Sequence, residues 1–350
     1  MLFIQTHLIK NEMIYQHCSS HESFIRQDPI SKEWVIYSIS RKNRPHDQTV
    51  ESSNKPLLSF DKDCPFCPGN ENKLAIVNEE IKNPNGSGWL SRAIDNKFPA
   101  LSQAAPTQRY KEGIYLCMGG YGRHEVIIEN PHHSKDIPQY DVNEISSVIE
   151  IYHRRYLAMM SDDHIVMVTI FRNHGVNAGT SLAHPHSQII GSPTVPRYIR
   201  IQEQISETYF DDHGVCIYCD LINSELKCGE RIITRNSSFV SFVPYAAKVP
   251  YEIWILPCRH TAVFGDIKEY EKEDLALILK DILSRLSSLL EDPDYNYIIH
   301  TFTRYRTNEP HIHWFLQIVP RLLTPAGFEL GSGFRINPSI PEVDARELKG

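Results

Sequence analysis

Several things are scarce or missing in this chain of 350 residues, and each absence removes a class of function. No apolar run approaches the ~20 residues that a membrane span requires, so no transmembrane segment and no membrane partner are expected. Positive charge is not in excess: 36 Lys and Arg stand against 43 Asp and Glu, a formal charge of -7. That balance argues against a nucleic-acid-binding surface, while leaving room for a local basic pocket. The opening Met1-Leu2-Phe3-Ile4 is too short and too poorly flanked for a secretory leader. A cytoplasmic protein is therefore expected. In a reducing compartment its eight cysteines are better metal ligands or buried thiols than disulfides. The length allows two domains with substantial cores.

Histidine, by contrast, is plentiful, with 17 residues, more than core packing calls for. The organising stretch is His184-Pro185-His186-Ser187-Gln188, set in the run that starts at Phe171. On an extended segment His184, His186 and Gln188 share one face, because side chains alternate with period two. Ile189-Ile190 would anchor the strand. Before it, Gly175, Ala178, Gly179, Thr180 and Ser181 let backbone come close to a bound group or bend tightly. An imidazole and an amide beside a close-fitting loop suit phosphate chemistry. Taken alone, an H-x-H pair is more often two solvated surface histidines. The rest of the chain reverses that preference.

Residues 1–23 show no clear period and are expected as an N-terminal extension. Arg26-Gln27-Asp28-Pro29 reads as a turn and Trp34–Tyr37 as a strand, with three cations (Arg41, Lys42, Arg44) just beyond it. A polar loop over 46–62 leads to Cys64-Pro65-Phe66-Cys67, a tight turn carrying two thiols. Asp95–Leu101 is another loop, and Glu125–Glu129 is a strand with His132-His133 just past its end. Asp141 and Glu144 have capping-box spacing. Ile145, Val148, Ile149, Tyr152 and Tyr156 then predict a helix to about Met160. His164–Phe171 alternates as a strand, and residues 193–215 mark the domain boundary.

The second half repeats the first. Cys216-Ile217-Tyr218-Cys219 opens it, strands follow at Phe239–Val243 and Tyr251–Leu256, and His260 comes just after Cys258. A long amphipathic helix spans 268–290, Tyr295–His300 is a strand, and His311-Ile312-His313 precedes the last apolar run. Aligning His184 with His313 pairs Gln188 with Gln317 and sets His186 opposite Phe315. The interval from His133 to His184 is 51 residues and from His260 to His313 is 53. A ring that cannot act as a nucleophile replaces His186, which points to one working site on a duplicated scaffold. The expected organisation is an extension over 1–23, a catalytic half over 24–195, and a second half over 196–350 without the nucleophile.

Each half offers two thiols at C-x-x-C spacing and two distant histidines. Four such donors suit a closed tetrahedral Zn²⁺ site, with no position left for catalysis. One set is Cys64, Cys67, His133 and His184, and the other is Cys216, Cys219, His260 and His313. His132 competes with His133, and His311 with His313. A thioredoxin-like redox pair is the rival reading of each C-x-x-C, but neither is expected to open a helix in a βαβ pattern. Cys18, Cys117, Cys228 and Cys258 remain unassigned thiols. With His184 on a metal, His186 is held rigidly yet stays free. A neutral imidazole nucleophile needs one bare nitrogen and the other fixed by a hydrogen bond. Gln188 can donate to a phosphoryl oxygen.

His184-Pro-His-Ser-Gln188, with Cys64, Cys67 and His133 upstream, resembles the galactose-1-phosphate uridylyltransferases of the histidine-triad superfamily. The resemblance covers nearly all of residues 24–340. It includes Arg26-x-Asp-Pro, Trp34-Val, Arg41-x-x-Arg44-Pro45, Asn96-x-Phe98, Asn173-x-Gly175, Ser181, His311-x-His313 and Gly327-Phe328-Glu329. It implies an α+β fold of two histidine-triad-like halves, each an antiparallel sheet with flanking helices, and a homodimer. It further implies that His186 attacks the α-phosphate of UDP-glucose, releases glucose 1-phosphate and passes UMP to galactose 1-phosphate. Arg41, Arg44, Asn96, Phe98, Asn173, Gly175, Ser181, Gln188 and Glu329 are the implied substrate contacts, with Phe98 open to a core role and Gly175 to a turn. Bacterial members carry Gly where this chain has Ser187, and their second metal site is built on a glutamate and histidines. The two-C-x-x-C form, with Gly327–Pro338, is similar to a subgroup that includes ADP-glucose phosphorylases, which pass an adenylyl group to inorganic phosphate. Uridylyl transfer is the first expectation and adenylyl transfer the alternative. A nucleotide-binding module without turnover is disfavoured, because it would have no chemical need for His186 and Gln188.

Overall fold

The computed structural model describes residues 23–43, 58–86 and 88–350. Residues 1–22 of the expected extension, Cys18, Arg44 and most of the expected 46–62 loop lie outside the described residues.

The chain order opens with a hairpin, β1 (Ser23–Gln27) and β2 (Trp34–Ser38). Next come β3 (Val77–Lys82), β4 (Trp89–Asp95), the small hairpin β5 (Arg109–Glu112) and β6 (Tyr115–Met118), and β7 (Arg123–Ile128). Helix α1 (Val142–Met160) leads to β8 (Met167–His174) and β9 (His186–Ser192). Two consecutive helices, α2 (Arg197–His213) and α3 (Ile217–Cys228), precede β10 (Ile232–Arg235), β11 (Phe239–Phe242) and β12 (Ile253–Pro257). The chain closes with α4 (Glu269–Leu290), β13 (Tyr295–His300), β14 (Phe315–Pro320), α5 (Gly327–Ser332), β15 (Arg335–Asn337) and α6 (Pro341–Lys349).

Ten of these strands form one antiparallel sheet in the order β10-β11-β12-β14-β13-β8-β9-β7-β4-β3. Outward from the central β8–β13 pair, one side runs β9, β7, β4, β3 and the other β14, β12, β11, β10. The same order therefore occurs twice, and the fold is α+β as expected.

Helices α1 and α4 cover one face of the sheet. The Asp141 side chain accepts the Glu144 N–H at 2.9 Å and the Glu144 carboxylate accepts the Asp141 N–H at 2.8 Å, so α1 starts where its capping box predicts. Ile145, Val148 and Ile149 of α1 and Leu275, Ile278 and Ile282 of α4 bury against Ile127, Ile170, Ile189, Ile255 and Ile299. Each such side chain contributes about 1.5–3 kcal/mol when fully buried. The opposite face is covered differently in its two parts. In the second half, Ile199, Ile217 and Ile222 of α2 and α3 pack on Phe242, Trp254, Leu256 and Phe315. In the first half the Cys64–Cys67 turn lays Phe66 against Val126 and Ile128, and among the described residues no helix is seen to pack on this face of β9.

The hairpin β1–β2 stands apart from this sheet and takes β15 as a parallel third strand. Arg26 is buried there, bonded to Glu342 at 3.0 Å and stacked 4.3 Å from the Tyr245 ring centroid. Arg231 reaches the same carboxylate at 2.6 Å. Breaking one partner of such a buried network strands a charge, so the two ends of the described chain are tied together.

Helix α2 occupies most of residues 193–215, the stretch expected to mark the domain boundary. The Cys216 pair does open a helix, with Cys216 as the N-cap of α3, although that helix follows another helix and the unit is not βαβ.

Candidate active site and metal centres

The β9 strand begins at His186, so its first residue projects onto the face away from α1 and α4, and Gln188 follows on the same face. The Nδ1–H of His186 donates to the carbonyl of His184 at 2.8 Å. A carbonyl only accepts, so the proton must sit on Nδ1, and Nε2 is left with a bare lone pair. The ring is 7% exposed and meets the edge of Phe66 at 5.5 Å. Burial, with the Arg172 guanidinium adding to it, lowers its pKa against the pull of the His184 carbonyl. The imidazole is thus neutral, oriented and nucleophilic at Nε2.

Gln188 is oriented by a residue that the sequence reading did not single out. His124, on β7, accepts the Ala100 N–H on Nδ1 at 3.1 Å. Its proton therefore lies on Nε2, which donates to Gln188 Oε1 at 2.7 Å. Burial lowers the His124 pKa, so this arrangement is the neutral one. Because the oxygen of Gln188 is taken, its NH2 group is the part left to face a ligand. The signal was weak: the strand is read from Glu125 onward, one residue after His124.

Asn96 follows β4, and its Oδ1 accepts the Phe98 N–H at 2.8 Å. Phe98 is 88% exposed, which rules out a core role. Asn173, at the end of β8, accepts from Asn296 Nδ2 at 2.8 Å. The loop from Gly175 through Ser181 then runs directly into His184. Gly175 has φ +83°, a conformation that glycine adopts without strain.

Arg41 and Glu329 belong to a different part of the molecule, beside the β1–β2–β15 sheet. Arg41 is exposed in the turn after β2. The Glu329 carboxylate accepts the Ala326 N–H at 2.9 Å and the Ile336 N–H at 3.3 Å. Among the described residues, neither side chain bonds to His186, Gln188, Asn96 or the 175–181 loop.

The two predicted donor sets do assemble. The ligand atoms of Cys64, Cys67, His133 and His184 lie within 4.8 Å of one another, as do those of Cys216, Cys219, His260 and His313. His133 and His313 are in the groups, whereas His132 is exposed and His311 turns Nδ1 toward Glu309 at 3.6 Å. The chemistry fits a metal. His184, His260 and His313 donate Nε2–H to the carbonyls of Asn130, Glu309 and Pro257 at 2.8, 3.1 and 3.0 Å. Their Nδ1 atoms are thereby left bare toward the thiols, as ligating histidines require. The Phe66 and Asp61 N–H groups point at Cys64 and Cys67 Sγ at 3.4 and 3.3 Å. Burial pushes the Cys64 thiol up to about 11, a shift that a bound cation would reverse.

Behind β9, on the helix side, lies a buried polar network. Tyr152 donates to Ser187 Oγ at 2.6 Å and meets the Tyr297 hydroxyl at 2.5 Å. Arg172 is bonded to Glu129 at 3.0 Å and to Asp136 at 2.6 Å. His174 bridges Asp136 at 2.8 Å and Asp292 at 3.2 Å. Burial lowers the His174 pKa, but the Asp136 and Asp292 carboxylates outweigh it and raise it to about 9.

A duplicated α+β scaffold with a thiol–imidazole knot in each half, one of them next to a histidine with a bare ring nitrogen, belongs with the enzymes that transfer phosphoryl or nucleotidyl groups. The galactose-1-phosphate uridyl transferase N-terminal domain matches residues 14–196, and the C-terminal domain of the same name matches residues 202–329. The chain belongs to the galactose-1-phosphate uridylyltransferase family and is a nucleotidyltransferase. It is 36% identical over 331 residues to an ADP-glucose phosphorylase of Arabidopsis thaliana, covering 93% of this chain and 92% of that one. It is 27% identical over 335 residues to a galactose-1-phosphate uridylyltransferase of Thermotoga maritima, covering 93% and 97%. A crystal structure of an Arabidopsis thaliana ADP-glucose phosphorylase with bound ADP-glucose superposes with TM-score 0.81 at 34% identity, over 94% of this chain and 98% of that one.

Proposed function

We propose that the protein moves an adenylyl group from ADP-glucose to inorganic phosphate by way of a covalent adduct on His186. The observation that carries the adduct is the bond from His186 Nδ1–H to the His184 carbonyl, 2.8 Å long, which bares Nε2. In the first step Nε2 attacks the α-phosphorus, the Nε2–P bond forms, and the bond from that phosphorus to the bridging oxygen breaks. Glucose 1-phosphate leaves. In the second step a phosphate oxygen attacks the same phosphorus, the Nε2–P bond breaks, and ADP leaves. The His184 carbonyl stabilises the ring's developing positive charge through Nδ1–H, and the Gln188 NH2 donates to a non-bridging oxygen. Asn96, Phe98, Asn173, Gly175 and Ser181 hold the nucleotide. Arg41 and Glu329 reach substrate from elsewhere, Glu329 as a hexose contact made across a homodimer interface, and Arg44, outside the described residues, is a further substrate contact. The catalytic half is 24–195 and the half without a nucleophile is 196–350. Both four-donor sets take Zn²⁺, which fixes the segment that ends at His184.

The choice of adenine and phosphate reverses the order of the sequence expectation. It is supported by the higher identity to the ADP-glucose phosphorylase, 36% against 27%, and by the fit to a relative solved with ADP-glucose. Uridylyl transfer between UDP-glucose and galactose 1-phosphate is the second reading, favoured by the family description. Product formation from ADP-glucose plus phosphate, compared with UDP-glucose plus galactose 1-phosphate, separates them. Faster turnover of the UDP-glucose pair would overturn the adenylyl assignment.

A further inference from the structure

The half without a nucleophile contributes directly to the loop that leads to it. Asp294 stands at the start of β13, in the second half. Its Oδ2 accepts the Asn177 N–H at 2.6 Å, inside the loop of the first half. Its Oδ1 lies so close to Gly175 that a Cβ placed there would come within 1.7 Å. Position 175 is thus glycine for two independent reasons, its φ of +83° and the carboxylate beside it. Two residues on, Asn296 donates to Asn173 Oδ1 at 2.8 Å and to the Ala178 carbonyl at 2.9 Å. The loop is therefore gripped at its root, its first turn and its middle by side chains from one strand of the other half. The turn closes on itself through Ala178 N–H to Gly175 carbonyl at 3.2 Å and Thr180 N–H to the same carbonyl at 3.3 Å. A short loop so constrained presents its remaining backbone in one form, which is what an electrostatic cradle for phosphate requires.

We propose that Asp294 is a positioning residue for nucleotide binding: it holds the 175–181 loop in the form that receives the nucleotide's phosphates beside His186. This rests on the nucleotidyl-transfer reading and deepens it, because it gives the second half a task at the single site. Aspartate suits the task, since one oxygen accepts the Asn177 N–H while the other packs into the space that a side chain at position 175 would need, and alanine would leave the Asn177 N–H without that acceptor.

The test compares the full-length wild type with Asp294→Ala and Asp294→Asn. ADP affinity is measured by calorimetry, melting temperature and zinc content are recorded alongside, and adduct formation with ADP-glucose is followed separately by intact mass. Asp294→Ala should bind ADP about tenfold more weakly, a loss of ~1.4 kcal/mol, with melting temperature and zinc unchanged. Asp294→Asn keeps an oxygen for the Asn177 N–H and should recover most of the affinity. The proposal is overturned if Asp294→Ala binds ADP as the wild type does, if its weaker binding follows a fall in melting temperature, or if the wild type does not bind ADP. The adduct reports on the other reading: a wild type that binds ADP but forms no adduct contradicts covalent transfer and leaves the Asp294 comparison decisive.

Discussion

His124 Nε2 stands 2.7 Å from Gln188 Oε1, and the Ala100 N–H on the other ring nitrogen leaves only one tautomer that satisfies both contacts. The consequence is a carboxamide whose NH2 group is committed to the ligand side. His124→Phe keeps a planar ring but removes the donor, so Gln188 is free to rotate. Turnover should fall by about tenfold, less than the 10²–10³ lost when an oxyanion donor is deleted outright. Steady-state kinetics with ADP-glucose and phosphate check this, and an unchanged kcat would show that His124 does not orient the amide.

The serine in the motif makes a different kind of prediction. Ser187 Oγ points to the helix side, where Tyr152 donates to it at 2.6 Å, away from the face that carries His186. Ser187→Gly should therefore cost about 1–2 kcal/mol of stability, from the lost bond and the looser strand. The ratio of activity on ADP-glucose to UDP-glucose should stay the same. A switch in that ratio would mean that position 187 reads the base.

Much of this site is legible in the sequence because its parts are local or repeated. The H-x-H-x-Q stretch declares its face by period two, and the duplicated C-x-x-C and histidine spacings point to two Cys₂His₂ sets, with the choice between His132 and His133 and between His311 and His313 made only by the fold. Asp141 and Glu144 mark the start of α1 to the residue. What is not legible depends on pairing across the sheet. His124 meets Gln188 only because β7 lies beside β9, and Asp294 meets Gly175 only because β13 lies beside β8. The β5–β6 hairpin is missed because its four-residue strands are exposed on nearly every side chain and so lack an alternating pattern. Helix α2 is hidden by its polar composition and the prolines before it. Arg41 and Glu329 enter the expected site by resemblance alone; the chain places them beside the small β1–β2–β15 sheet, in the turn after β2 and in α5.

The buried network predicts a pH dependence. His174 has a folded pKa of about 9, raised above its unfolded value near 6.5. Its contribution is therefore complete below about pH 6.5 and is lost as pH rises through about 9, with a size on the order of 3 kcal/mol. Asp136 and Asp292 supply the attraction, and Arg172 opposes it. His174→Gln should be less stable than the wild type at pH 6, with the two converging by about pH 10 in denaturant titrations. A constant difference across that range would contradict the charged pair.

Metal content gives the structural test. Both Cys₂His₂ sets are complete and three of their four histidines are held by backbone carbonyls, so two zinc ions per chain are expected by elemental analysis. Cys64→Ser should lose one ion and destabilise the first half, and Cys216→Ser should lose the other. Closed zinc sites contribute as much as ~10–16 kcal/mol in small zinc peptides, so strong chelation should lower the melting temperature markedly. Protein that folds fully and binds no zinc would contradict the assignment.

The most direct measurement of the central claim is the intact mass of the protein after exposure to ADP-glucose without phosphate. The wild type should gain one AMP, digestion should place it on His186, and added phosphate should remove it as ADP. His186→Ala should gain nothing while keeping its zinc and its melting temperature, and His184→Ala should lose metal and stability together. An AMP adduct of undiminished yield on His186→Ala would show that the nucleophile lies elsewhere.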